Sequence, residues 1–107
     1  MKALTAPELA RWLRDETRPR PLLLDVREPW EFQICRIEGS ELIPIRALAV
    51  RFEELDRERP IVCICHHGGR SAHVTMFLMH QGFADVYNLT GGVDAWARQV
   101  DPAMPVY

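Results

Sequence analysis

The sequence predicts an α/β domain with a mainly parallel sheet covered by helices on both faces. Two observations carry this. Two short apolar runs, "PLLLDV" (residues 21 to 26) and "PIVCIC" (residues 60 to 65), are each introduced by proline and are too short to be helices. Segments with helical spacing alternate with them along the chain, as buried parallel strands require.

Taken in order, "TAPELARWLRDE" opens with Thr5 and Glu8 in capping-box spacing and repeats apolar residues at Leu9, Trp12 and Leu13, which predicts an amphipathic first helix. The strand "PLLLDV" follows. "EPWEF" offers Pro29 at a first helical position, "ELIPI" reads as a short strand ended by Pro44, and "RALAVRFEEL" from Arg46 again has helical spacing. After "PIVCIC", the segment "RSAHVTMFLMHQG" lines Val74, Phe77, Leu78 and Gln81 along one side and stops at Gly82. "ADVYNL" is a further strand and "GGVDAWARQV" a last short helix. The tail "DPAMPVY" is expected to run extended over the surface.

With 107 residues, 48% hydrophobic and 26% charged, the chain fits one compact domain, residues 1–107. A formal charge of -2 with interspersed signs gives no basic stripe, so nucleic acid is not an expected partner. No run is long enough to span a bilayer, and Pro7 and Glu8 interrupt the apolar stretch after Lys2. The expectation is a soluble, cytoplasmic protein without a membrane partner. Three cysteines, Cys35, Cys63 and Cys65, are an odd number and are expected to be reduced.

Chemistry concentrates in "CICHHGGRS", residues 63 to 71. In a parallel sheet, ligands bind at the carboxyl ends of strands, where "PIVCIC" delivers Cys65. Gly68 and Gly69 can take positive φ, letting residues 66 to 70 curl into a nest of backbone amides backed by a helix N-terminus. The anion such a nest favours is the Cys65 thiolate, which makes Cys65 the candidate nucleophile. Cys63, two positions back on the apolar strand, reads as core packing. His66 and His67 are either solvated turn residues or the mouth of the pocket. Arg70 supplies a permanent positive charge, and an ion pair with Asp25 or Glu28 across the strand ends is compatible with a substrate role. His73 and His80 read as helix surface. A metal centre from Cys63, Cys65, His66 and His67 has poor spacing, because structural zinc sites draw a second ligand pair from a distant segment, so no metal is expected.

The loop "CHHGGRS" between an apolar strand and a helix resembles the active-site loop of rhodanese-type sulfurtransferases. "LLLDVREPWEF" resembles that family's Asp-Val-Arg-Glu segment, "RIEGSELIPI" its His-Ile-Pro-Gly-Ala stretch, and "VYNLTGGVDAWA" its closing Gly-Gly-x-x-x-Trp, so the resemblance runs from Leu22 to Trp96. Arg36 and Glu38 stand where the family often has histidine and proline.

The resemblance implies a single rhodanese-like domain with a five-stranded parallel sheet and Cys65 as catalytic residue. It further implies a substrate loop of His66, His67, Gly68, Gly69, Arg70 and Ser71, with Asp25 and Arg27 bracing the scaffold. The implied reaction moves a sulfane sulfur from a small-molecule donor such as thiosulfate, through a Cys65 persulfide, to a thiol or cyanide acceptor or a persulfide-carrying protein. No cofactor is required. A monomer or weak homodimer is expected.

His66 and His67 match neither the basic pair of two-domain thiosulfate enzymes nor the small pair of mercaptopyruvate enzymes, which leaves the donor open. Four residues separate Cys65 from Arg70, one fewer than in the related phosphatases and arsenate reductases, and this disfavours that alternative. The remaining alternative is a non-catalytic interaction or regulatory module, and such modules often lack the cysteine.

Overall fold

The computed structural model describes residues 2–107. Five strands form one parallel sheet: β1 (Lys2–Leu4), β2 (Leu22–Asp25), β3 (Glu41–Leu42), β4 (Ile61–Ile64) and β5 (Val86–Leu89), in the order β1-β5-β4-β2-β3. Helices α1 (Ala6–Arg14), α2 (Pro29–Ile34), α3 (Ile45–Arg51), α4 (Gly69–His80) and α5 (Gly92–Gln99) fall between or after them, and a 3-10 turn, Phe52–Glu54, extends α3. Among the described residues, no helix is long and apolar enough to cross a membrane.

Strand periodicity divides the core. Leu23, Val62, Ile64 and Leu89 pack with Leu9 and Trp12 of α1 and Val93 and Trp96 of α5. Leu22, Leu24, Ile61 and Cys63 point the other way, to Leu48 of α3 and Val74 and Leu78 of α4. All four residues of β2 and of β4 are buried, which is why both read as continuous apolar runs rather than as alternation.

The ends of α1 and α4 follow from local chemistry. Thr5 Oγ1 accepts the Glu8 amide (3.3 Å) and Glu8 Oε1 accepts the Thr5 amide (2.8 Å), closing the capping box. Gly82, at φ +92°, terminates α4 where a side chain would be strained.

Two segments depart from the sequence reading. Lys2–Leu4 forms an edge strand parallel to Tyr87–Leu89, although its three largely exposed residues carry no strand signal. The tail does not simply cross the surface. Met104 is buried in the α1–α5 side of the core, and Tyr107 returns to the turn after β2.

That turn is organised by Arg27, which is fully buried together with Asp25. Nε donates to Asp25 Oδ1 (2.9 Å), and Nη2 to Asp25 Oδ2 (2.7 Å) and the Cys35 carbonyl (2.7 Å). Nη1 donates to the Tyr107 hydroxyl (2.9 Å) and the Glu31 carbonyl (3.3 Å). A guanidinium has five N–H groups, and all five have partners.

Arg27→Met would leave the Asp25 carboxylate buried without its partner. We expect a loss of about 3–5 kcal/mol, read as a lower urea midpoint at an unchanged slope. Arg27→Lys should recover only part of it, because an ammonium cannot serve five donors in a plane.

Candidate active site

β2 is followed by a connection to β3 on one side, and β4 by a connection to β5 on the other. The carboxyl ends of these neighbouring strands therefore form the topological switch point where crevices open in α/β sheets. Cys65 is the first residue beyond β4, and Val26, Arg27 and Glu28 are the first beyond β2.

The Cys65 residue is only 1% exposed. Its Sγ accepts the Gly68 amide at 3.1 Å and lies 3.2 Å from Ser71 Oγ. Gly68 reaches this position at φ +103°, and a Cβ there would crowd the Gly91 amide (3.2 Å) and the Leu89 carbonyl (3.3 Å). Gly69, expected to share the positive φ, instead opens α4 in ordinary helical geometry with open space at its Cβ position. The turn needs one left-handed residue, and Gly68 supplies it.

Asn88, a residue that sequence reasoning missed, holds the cradle from β5. Its Nδ2 donates to the Gly68 carbonyl (3.1 Å), which aims Oδ1 at the Ser71 hydroxyl. A hydroxyl has one hydrogen. While Ser71 donates it to Asn88, its oxygen faces Cys65 as an acceptor for the thiol proton. Once the sulfur is anionic, rotation of the same hydroxyl turns it into a donor to sulfur.

The first turn of α5 fastens the other side of the loop. The Val93 amide donates to the Cys65 carbonyl (2.9 Å) and the Asp94 amide to the His66 carbonyl (3.1 Å). Gly92 makes the approach possible, since a Cβ on it would collide with both carbonyls.

Arg70 is not a free cation. Its Nη1 and Nη2 donate to Glu31 Oε2 and Oε1, both at 2.8 Å. The partner is thus Glu31 of α2 rather than Asp25, which belongs to Arg27, or Glu28, which accepts Arg46 Nε at 3.2 Å. Glu31 also accepts the Glu28 amide and the Tyr107 hydroxyl, both at 2.9 Å, filling its four acceptor positions. Bonding to Arg70, reinforced by the Glu28 amide and Tyr107, outweighs burial and holds its pKa at about 2. Tyr107 bridges Arg27 and Glu31, and burial pushes its phenol up to about 12.

His66 is half-buried and stacks on Tyr107, with ring centroids 3.9 Å apart and planes 5° apart. His67, exposed, lies 3.9 Å from His66. Burial first, and then His67, lower the His66 pKa, so this imidazole is neutral at pH 7. Cys63 lies wholly in the core, its thiol pushed up to about 12 by burial. His73 and His80 are exposed on α4. A concavity of about 620 Å³ opens elsewhere, lined in part by Leu13, Arg20, Arg36 and Trp96. Its lining does not include Cys65.

Glu31 and Tyr107 also escaped sequence reading. Glu31 stands three residues after Glu28, a spacing that signals a capping box and nothing more. Tyr107 lies 80 positions from Arg27, beyond any local pattern.

A cysteine cradled by a glycine turn at the switch point of a parallel sheet defines a class of α/β domains built around a cysteine loop. Residues 5–99 match the model of the rhodanese-like domain, and the chain belongs to that family. Over 98 residues it is 38% identical to the thiosulfate sulfurtransferase GlpE of Pseudomonas aeruginosa (strain LESB58), an alignment covering 92% of this chain and 86% of that protein. It is 39% identical over 89 residues to the chloroplastic rhodanese-like/PpiC domain-containing protein 12 of Arabidopsis thaliana. That match takes in 79% of this chain but only 30% of the longer plant protein. The crystal structure of a rhodanese-like domain protein from Staphylococcus aureus superposes with a TM-score of 0.84 at 29% identity, covering 100% of this chain and 99% of that one.

Glu31 sets an acid limit on stability. Its pKa is lowered from 4.5 to about 2, so its contribution is complete above pH 4.5 and lost as pH falls through the window toward 2. Glu31→Gln should be less stable than wild type at neutral pH, and the difference should shrink through that window in urea titrations.

Proposed function

We propose that this chain is a sulfurtransferase in which Cys65 accepts a sulfane sulfur and passes it on. The observation that carries the reading is the seat of Cys65 Sγ, with the Gly68 amide and the Ser71 hydroxyl within hydrogen-bonding distance of one buried sulfur. With thiosulfate as donor, the Cys65 thiolate attacks the outer sulfur. An S–S bond forms to Cys65 while the bond to the sulfonate sulfur breaks, and sulfite leaves with the electron pair. A cyanide ion or a thiolate then attacks the outer persulfide sulfur, and the Cys65 thiolate is regenerated. This is two-step covalent catalysis, and charge is conserved at each step. The donors that meet the buried Sγ can stabilise the thiolate and the persulfide in turn.

The loop also supports this reading over phosphoryl chemistry. Four residues between Cys65 and Arg70 make a small ring, and the Arg70 fork that would clasp phosphate oxygens is already closed on Glu31. An interaction module without catalysis would not need the Asn88–Ser71 relay directed at the sulfur. Asp25 and Arg27, both fully buried, act on the site by holding Glu31 and Tyr107 in place. The relative GlpE is named for thiosulfate, which makes thiosulfate the first donor to test.

Wild-type protein treated with thiosulfate should gain one sulfur atom by intact mass and lose it on addition of cyanide, whereas Cys65→Ser should gain none. An adduct that persists in Cys65→Ser would overturn the assignment.

Arg70→Ala would uncover the Glu31 carboxylate as well as remove a cation. The expected outcome is a KM for thiosulfate raised roughly fivefold to tenfold with a smaller change in kcat, and a partial loss of the effect at high salt.

A further inference from the structure

Beside the sulfur cradle, three side chains converge whose donor atoms the sulfur chemistry does not use. His66 and His67 offer a ring nitrogen each and Asp94 a carboxylate oxygen, and these three atoms all lie within 4.8 Å of one another. We propose that His66, His67 and Asp94 form a binding site for a divalent transition-metal ion of the zinc and copper type, at the junction of the Cys65 loop and the first turn of α5.

The backbone brings the donors together. The Asp94 amide is bonded to the His66 carbonyl at 3.1 Å, so the first turn of α5 and the start of the loop form one rigid corner. Adjacent residues seldom present their side chains to the same point, yet here the two imidazole centroids are 3.9 Å apart. A zinc ion bound at about 2.0–2.2 Å by nitrogen and oxygen donors holds them about 3.3–3.6 Å from one another. The limit of 4.8 Å is therefore too open by about 1.5 Å at most, and His67, which is exposed, can rotate inward.

The surroundings are those of a ligand set with outer support. Stacking on Tyr107 fixes the plane of the His66 ring. Arg98 Nε donates to Asp94 Oδ2 at 3.0 Å, orienting the carboxylate, while among the described residues no hydrogen bond engages Oδ1. The Arg98 charge opposes a dication, so the affinity is expected to be moderate rather than that of a structural zinc site. Two imidazoles and a carboxylate suit borderline metals and are poor ligands for calcium or magnesium. The donor set weighed from sequence relied on Cys63 and Cys65. Both are buried, and the oxygen ligand comes instead from a residue 27 positions beyond His67, on another element. Metal binding here stands or falls independently of sulfur transfer.

Cobalt(II) titration, followed by visible absorption, tests the site on the intact protein. One equivalent should bind with d–d bands and no sulfur-to-cobalt charge-transfer band, and Cys65→Ser should bind equally well. His67→Ala and Asp94→Asn should each weaken binding at least tenfold, with far-UV circular dichroism and thermal midpoint close to wild type, because both side chains lie outside the core. His80→Ala, on the exposed face of α4, should bind as wild type does, and zinc should displace the cobalt. Unchanged affinity in both His67→Ala and Asp94→Asn would overturn the proposal. So would equal weakening in His80→Ala, or a charge-transfer band that disappears in Cys65→Ser.

Discussion

A buried guanidinium has to find five hydrogen-bond acceptors, and in this fold one residue, Arg27, draws them from four places. They are the last residue of β2, the body of α2, the residue after α2, and the tail. Satisfying this one group joins segments that share no strand pairing. The carboxylate of Asp25 compensates the charge, and the Tyr107 hydroxyl passes the connection on to Glu31 and so to Arg70 at the mouth. The row Asp25, Arg27, Tyr107, Glu31 and Arg70 alternates acid and base about a phenol. Each charge has its counter-charge, which is the condition for keeping so many ionised groups in or near an apolar interior.

This balance also sets the electrostatics around Cys65. In the sequence, Arg70 reads as a permanent positive charge beside a candidate nucleophile, with Asp25 or Glu28 as its candidate partner. In the structure its charge is spent on Glu31, and His66 is held neutral by burial. The stabilisation around Cys65 accordingly comes from short-range donors, the Gly68 amide and the Ser71 hydroxyl, rather than from a long-range field. Directed dipoles discriminate by position more than by net charge, and on the proposed reaction they would meet a negative charge that passes between Sγ and a sulfur bound to it.

What could be read from the sequence was local. Thr5 and Glu8 name their own helix start, the glycine after two histidines marks the turn, and the apolar runs before Asp25 and Cys65 identify the two central strands, because in each case neighbouring residues carry the physics. β1 was invisible, since three residues at a sheet edge bury too little to show alternation. No local pattern marks Glu31 or Asn88 as a site residue. Only folding sets Glu31 opposite Arg70 and Asn88 opposite Ser71. The prolines of the tail argue against regular structure, which the tail lacks, but they say nothing about where Met104 and Tyr107 dock.

The two hydrogen bonds from the first turn of α5 to the carbonyls of Cys65 and His66, packed tight over Gly92, have a consequence for traffic. A loop bolted to a helix in this way cannot swing its cysteine out toward a waiting partner. Many carriers of reactive groups work as arms that travel between stations. On the proposed function the station here is fixed, one step below the surface, and whatever delivers or collects the cargo would have to be slender enough to come in and meet it.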